Sequence, residues 1–197
     1  MYKVCLLCSY ISKVEKDQSF ECEKCSNRDD ACTSPFPKPA AQNFLNHPYS
    51  MLYDLEDVDN WIELFHFNGF ETSGLFLCSA YEVLLESMIN DVLKAMNTNE
   101  KVSELLLNSN QGQERMGRLL ASLLEVGNSM KTVCKRIEQE EFYGKMQKII
   151  KVRNSYIHGD HKAFRDSEVE AEDLKYVCDS IIDVFVTLNN QYVYSGT

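Results

Sequence analysis

The 197-residue chain lacks any apolar run that approaches the roughly 18 residues needed for a membrane-spanning helix. Its beginning, Met1 to Cys8, is too short and too rich in cysteine for a secretory signal peptide. We therefore expect a cytoplasmic protein that does not enter a membrane. Hydrophobic residues make up 44% of the sequence, which predicts a globular chain with one good core and a small appendage.

Signature motifs of several enzyme classes are also absent. The sequence has no Gly-rich phosphate loop, no Gly-x-Ser-x-Gly nucleophile elbow and no His-Glu-x-x-His zinc motif. It also has no internal repeat of the length found in solenoid proteins. These absences leave few enzyme classes open to the chain.

Positive charge is scarce, since 20 Lys and Arg face 30 Asp and Glu, for a net charge of −10. This balance argues against a protein that coats nucleic acid, because such proteins neutralise phosphates. The cations are unevenly distributed, however. The segment from Lys145 to Arg165, which we call the basic window, holds six cations and the single acid Asp160. It therefore carries +5 and leaves −15 for the remainder of the chain.

Four of the eight cysteines form two Cys-x-x-Cys pairs, Cys5 with Cys8 and Cys22 with Cys25. We expect each pair to form a knuckle that presents two thiolates to one metal, with a hairpin in the intervening segment. Four soft thiolates with no open position select structural Zn²⁺, which folds the segment and does not catalyse. The alternative is two unrelated pairs of reduced thiols.

The other four cysteines are interpreted singly. Cys32 could substitute for a zinc ligand, but a spare thiol is the simpler interpretation. Cys78 and Cys178 lie in or beside apolar helical stripes, so we predict small buried apolar side chains. Cys134 has no partner nearby in the sequence.

The sequence divides into three parts. Residues 1–34 form the predicted zinc ribbon, and residues 35–43 form a proline-rich connector, because three of the four prolines lie at positions 35–39. Residues 44–197 form a predicted helical bundle. We therefore predict an all-α fold of about five or six helices with antiparallel neighbours and a small N-terminal zinc ribbon.

The spacing of apolar residues predicts where the helices lie. The fifth of them could begin as early as Ser129, and the segment from Ser167 to Glu170 is interpreted as the capping box that begins the last one. The predicted helices cover about 54–67, 72–96, 100–107, 115–126, 138–157 and the segment after 167.

An arginine and a histidine, Arg153 and His158, lie five residues apart at the end of the fifth predicted helix. Five residues of an ideal helix turn through about 140° beyond a full circle. The two side chains therefore share a face only if the last turn opens at Gly159.

These residue types suit phosphodiester cleavage without a metal. The guanidinium of Arg153 is a permanent cation that fits phosphate, and His158 can move protons at cellular pH. Asn154 can position a phosphate oxygen or the imidazole. The alternative is that Arg153 and His158 only complement the dipole at the end of the helix.

The run Arg153-Asn154-Ser155-Tyr156-Ile157-His158 resembles the Arg-polar-x3-His motif of the HEPN superfamily, and the resemblance covers about residues 44–194. It implies a homodimer in which two motifs face each other across a two-fold axis. It also implies an endoribonuclease in which the ribose 2′-OH attacks its own phosphate. His158 would act as general base or acid, Arg153 would stabilise the phosphate charge and Asn154 would orient an oxygen.

Family members of this kind often act as toxins or in defence against phage by cutting cellular RNA, under a protein regulator or trigger. The alternative is a non-enzymatic dimeric interaction module whose zinc ribbon binds protein or nucleic acid. The position of the motifs separates the two functions, because two motifs that face one basic cleft favour the nuclease.

Overall fold

The computed structural model of the chain describes residues 1–15, 18–54 and 69–194. These residues form a mostly helical protein with a small three-stranded sheet near the N-terminus, which confirms the predicted fold class. None of the helices in these ranges is both long and apolar enough to cross a membrane. The described α-helices are α1 (Pro39–Tyr49), α2 (Gly69–Ala95), α3 (Glu100–Ser109), α4 (Gln113–Leu123), α5 (Met130–Arg136), α6 (Glu140–Ile157) and α7 (Ala171–Leu188).

Helix α2 is the centre of the bundle and contacts α1, α4, α6 and α7. Its buried residues recur at the spacing of three and four that places them on one face, as the sequence predicts. The stripe consists of Leu77, Tyr81, Leu84, Leu85, Met88, Ile89 and Val92. The predicted helix at 54–67, with Leu55, Val58, Trp61, Ile62 and Phe65, lies outside the described residues except for its first residue, Asp54.

The long run from Ser129 to Ile157 is divided into two helices. The Ser129 hydroxyl accepts a hydrogen bond from the Thr132 backbone N–H at 3.4 Å and begins α5. Glu138 has a φ of 59°, a left-handed conformation that ends a right-handed helix, and α6 begins at Glu140. The motif helix α6 thus spans Glu140–Ile157, close to the predicted 138–157, and the earlier start at Ser129 is wrong because Ser129 caps the separate helix α5.

The predicted capping box of the last helix is wrong. Ser167 donates its hydroxyl to the Phe164 carbonyl at 2.8 Å and accepts from the Val169 N–H at 3.2 Å, so it closes a local turn. The capping box is formed by Glu170 and Asp173, with the Glu170 N–H 3.3 Å from Asp173 Oδ2. Helix α7 consequently begins at Ala171.

The N-terminal sheet contains β1 (Tyr2–Cys5), β2 (Ile11–Lys13) and β3 (Thr33–Phe36) in the order β2-β1-β3. Both pairings are antiparallel, with Val4 opposite Ile11 and opposite Ser34. Pro35 lies in β3, an edge strand, where its missing N–H is tolerated.

The predicted division at 34 and 43 stays a prediction. In the structure β3 extends to Phe36 and α1 begins at Pro39. Between these elements lie only Pro37, which follows a cis peptide bond, and Lys38. Pro39 is the first residue of α1, where proline is suitable because a backbone N–H at this position would have no partner within the helix.

The sheet and the bundle have separate clusters of buried apolar residues. Phe36 of β3 packs against the bundle cluster and Tyr194 against the ribbon cluster, and polar contacts also join the two. The amide of Asn190 accepts from the Ile11 N–H at 2.8 Å and donates to the Ile11 carbonyl at 2.9 Å. Asn189 donates to the Ser9 carbonyl at 2.7 Å, and the Tyr2 hydroxyl donates to Asp183 at 2.6 Å. The ribbon is thus hydrogen-bonded to the end of α7 and the turn that follows it.

Candidate metal centre and motif groove

The four cysteines of the two predicted knuckles lie together. Their Sγ atoms are all within 4.8 Å of one another, with Cys5 3.5 Å from Cys25 and Cys8 3.6 Å from Cys22. A tetrahedral ion with zinc–sulfur bonds of about 2.3 Å requires sulfur–sulfur separations of about 3.8 Å. The predicted cluster is confirmed, and its geometry suits a metal ion.

The first knuckle directs backbone N–H groups at its sulfurs. Ser9 has a φ of 63° and donates to the Cys5 carbonyl at 2.8 Å, while the Cys5 N–H donates to the Tyr10 carbonyl at 2.9 Å. Burial acts to raise the pKa of Cys5, but hydrogen bonds from the Leu7 and Cys8 N–H groups help to lower it to about 7. Burial raises the pKa of Cys8 to about 12, although a hydrogen bond from the Tyr10 N–H acts to lower it. The hydrogen bonds of the knuckle therefore lower the pKa of Cys5 but do not offset the burial of Cys8.

The second knuckle repeats this hydrogen-bond pattern. The Cys22 N–H donates to the Asn27 carbonyl at 2.9 Å, and Ser26, with a φ of 55°, donates to the Cys22 carbonyl at 3.0 Å. The Asn27 N–H acts to lower the pKa of Cys25, but desolvation and the thiols of Cys5 and Cys22 raise it overall. The Asn27 side chain also donates to Cys5 Sγ at 3.8 Å, so it links the two knuckles.

The remaining cysteines lie outside this cluster. Cys32 donates its thiol to Asp29 at 3.5 Å, as expected for a spare thiol. Cys78, Cys134 and Cys178 are fully buried in the helical core, and burial raises the pKa of each to about 12. The prediction that Cys78 and Cys178 are buried apolar side chains is confirmed.

The motif lies at the C-terminus of α6. Helix α6 ends at Ile157, and His158 takes the capping position with its N–H 3.2 Å from the Asn154 carbonyl. Gly159 has a φ of 104°, which only glycine adopts readily, and donates to the Tyr156 carbonyl at 3.1 Å. The His158 side chain is exposed at this open end.

Arg153 and Asn154 are in contact with each other. Nη1 of Arg153 donates to the Asn154 side-chain oxygen at 3.0 Å. Nη2 of Arg153 lies 3.6 Å from Oε1 of Glu82 on α2, and both charged side chains are half-buried. The guanidinium is thus oriented by one amide and one carboxylate.

Arg153 and Asn154 line an open cavity of about 1040 Å³, which we call the motif groove. It lies between α2, the start of α4, the start of α5 and one face of α6. His158 is not among its lining residues, so the structure joins Arg153 to Asn154 but places His158 beyond the groove. The charged residues that line the groove are Glu82, Glu114, Arg115, Arg118, Lys151 and Arg153.

Part of the basic window is neutralised by α7. Nζ of Lys145 lies 2.7 Å from Asp173 Oδ1, and Nζ of Lys148 lies 3.8 Å from Oδ2. The hydrogen bond to Asp173 raises the pKa of Lys145. Burial acts to raise the pKa of Asp173, but hydrogen bonds from Lys145 and the backbone lower it overall. Lys145 and Lys148 of the basic window therefore share one acid of α7, as Arg153 shares Glu82 of α2.

Sequence reasoning missed the groove residues from other helices. Glu82 lies on α2, and Arg115 and Arg118 lie on α4, so no local spacing connects them to Arg153. The only available signal was that Arg115 and Arg118 share one helical face, which a solvated surface would also explain.

No family model, no curated protein and no solved structure matches the chain.

Proposed function

We propose that the chain is a HEPN-type endoribonuclease that cuts RNA without a catalytic metal. The observation that carries the proposal is the contact of Arg153 with Asn154 at the wall of an open groove, followed by an exposed His158 where the helix opens at Gly159. Arginine, amide and imidazole groups are those needed to bind a phosphate and transfer protons. This placement fits the resemblance of the motif to the HEPN superfamily.

In the proposed reaction the ribose 2′-OH attacks the adjacent phosphorus and loses its proton to an imidazole acting as general base. The bond from phosphorus to the 5′ oxygen breaks, and that oxygen receives a proton from a general acid. The products are a 2′,3′-cyclic phosphate and a free 5′-OH. Arg153 stabilises the charge on the non-bridging oxygens, and Asn154 orients one of them.

We propose that the active form is a homodimer. One subunit offers a single motif histidine, whereas the reaction needs one proton removed and another delivered. His158 is exposed and is flanked by Ile157, an apolar side chain that is 51% exposed. A second copy that packs on this helix end would supply the second imidazole and cover Ile157.

We propose further that the cysteine cluster binds one structural Zn²⁺, because four soft thiolates select this ion and leave no position for substrate. On the motif resemblance, the protein acts in the cytoplasm on cellular RNA, as a toxin or an anti-phage effector controlled by a protein regulator. The proposed ion has no part in the reaction.

Two observations favour a second function, that of a non-enzymatic interaction module. The ion pair with Glu82 gives Arg153 a structural partner within its own chain. Leu6 and Leu7, between the first two cysteines, are 58% and 67% exposed, which gives the knuckle an apolar tip that suits a protein partner.

Incubation of the purified protein with a defined single-stranded RNA tests the proposal. We expect His158→Ala to lower the cleavage rate at least about a hundredfold through loss of a proton-transfer group, and Arg153→Ala to lower it by a similar factor through loss of charge stabilisation. Arg153→Lys should also lose activity, because lysine keeps the charge but lacks the planar donor fork. RNA with a 2′-deoxy sugar at the cut site should remain intact.

The matched control is His161→Ala, an exposed histidine three residues further along the chain. It should cleave like wild type, and all variants should keep the wild-type circular dichroism spectrum. Cleavage at the wild-type rate by both alanine variants of the motif would leave only the interaction module.

A further inference from the structure

The motif groove has unpaired positive charge in a chain whose net charge is −10. Its two acids are each engaged by an arginine, Glu82 by Arg153 and Glu114 by Arg118. Arg115 and Lys151 are exposed and form no ion pair with any residue in the described ranges. Two cations thus remain available to an anionic ligand.

These two cations come from different helices at the wall of the same cavity. Arg115 lies in the first turn of α4, and Lys151 lies on α6 two residues before Arg153. A ligand that contacts both must therefore lie in the groove rather than on one helix. The groove, at about 1040 Å³, is slightly larger than the roughly 300–1,000 Å³ typical of small-molecule pockets.

One face of α6 runs along the groove toward the motif. Tyr143, Gln147, Lys151 and Asn154 line the cavity at spacings of four, four and three, which places them on one side of the helix. From Tyr143 to Arg153 the helix rises about 15 Å. An aromatic ring, an amide, a cation and the motif are therefore arranged along one line.

We propose that the motif groove binds single-stranded RNA leading to the scissile phosphate, with Arg115 and Lys151 on its phosphates and Tyr143 stacked on a base. The identity of the ligand as RNA rests on the proposed ribonuclease function. Cationic side chains that follow a backbone, next to an aromatic ring for an unpaired base, are the features that bind single strands. A paired base would not be free to stack on Tyr143.

Fluorescence anisotropy with a labelled single-stranded RNA measures this binding, and His158→Ala is the parent protein so that the RNA stays intact. We expect Arg115→Ala combined with Lys151→Ala to weaken binding at least about tenfold and to reduce the salt slope by roughly 0.7 for each phosphate that is no longer neutralised. Tyr143→Leu, which keeps an apolar side chain but removes the ring that stacks, should weaken binding about tenfold. Arg115→Lys with Lys151→Arg should restore most of the affinity, because both charges return.

The matched control is Arg165→Ala, an exposed cation of the basic window that does not line the groove. The inference is overturned if the double alanine variant binds the RNA as tightly as the Arg165→Ala control does. It is also overturned if the parent protein binds duplex RNA as tightly as single-stranded RNA. Cleavage of RNA by the wild-type protein, which keeps His158, is a separate measurement. If that protein does not cut RNA but binding depends on Arg115 and Lys151, the nuclease proposal fails and the groove inference stands.

Discussion

Asp173 links the motif helix α6 to α7 through a single carboxylate, and Asp173→Asn tests how much this link stabilises the fold. The carboxylate lies 2.7 Å from Lys145, 3.8 Å from Lys148 and 3.3 Å from the Glu170 N–H. Asparagine keeps the size and one acceptor oxygen, so the capping hydrogen bond can persist while the charge is removed.

The expected loss follows from these contacts. A hydrogen bond to a charged group contributes about 1.5–3 kcal/mol. The Lys145 side chain is 23% exposed and that of Asp173 only 8%, so solvent weakens the pair only in part. The longer contact to Lys148, which is 50% exposed, adds less than about 1 kcal/mol, as surface ion pairs do. We therefore expect a loss of about 2 kcal/mol in the free energy of unfolding.

Thermal and urea unfolding at pH 7 measure this loss. For a protein of this size each 1 kcal/mol shifts Tm by roughly 2–4 °C, so Asp173→Asn should lower Tm by about 4–8 °C. The matched control is Glu172→Gln, an exposed acid of the same helical turn that forms no ion pair with a described residue. It should cost only about 0.3–1 kcal/mol through the helix dipole.

The pH dependence adds a second check. The pKa of Asp173 is lower in the folded protein than its ordinary value. Its stabilisation is therefore complete above an unfolded pKa of about 3.9 and is lost as pH falls through the folded pKa. The difference in unfolding free energy between wild type and Asp173→Asn should be full at pH 7 and should shrink below about pH 4. A variant as stable as Glu172→Gln at pH 7, or a difference that does not shrink with acid, would refute this reasoning.

Two further predictions concern the metal and the assembly. Metal analysis of the double variant Cys22→Ser, Cys25→Ser should show the loss of one zinc per chain. Most of the helical circular dichroism signal should be kept, because the two apolar cores are separate. Full retention of zinc would contradict the assigned ligands. Light scattering of the wild-type protein should give about twice the chain mass of 22.7 kDa, and a mass of 22.7 kDa at micromolar concentration would count against the homodimer.

The features that depend on local spacing could be predicted from the sequence. The two Cys-x-x-Cys pairs fold as separate local knuckles, and the sheet only has to bring one against the other. The face of α2 follows from the periodicity of its apolar residues, and the end of α6 follows from Gly159. In each case neighbours along the chain determine the structure.

Other features depend on an unusual backbone conformation or on residues that are distant in sequence. The break before α6 requires Glu138 in a left-handed conformation, which no glycine or asparagine signals. The true cap of α7 depends on Asp173, which also meets Lys145 of another helix. The motif groove needs α4 packed on α2, so Arg115 could not be assigned to the site in advance.

The contact between Asn190 and Ile11 closes one edge of the sheet. Strand β2 lies at that edge, where outward N–H and C=O groups could otherwise pair with a strand of another molecule. The Asn190 amide occupies both groups of Ile11, as a peptide unit of an additional strand would. This protection comes from a residue 179 positions later in the chain, so during synthesis the ribbon emerges well before the side chain that shields it. Metal binding alone would leave the edge of β2 unpaired. The edge is protected from pairing with another molecule only when α7 and the turn after it pack on the ribbon.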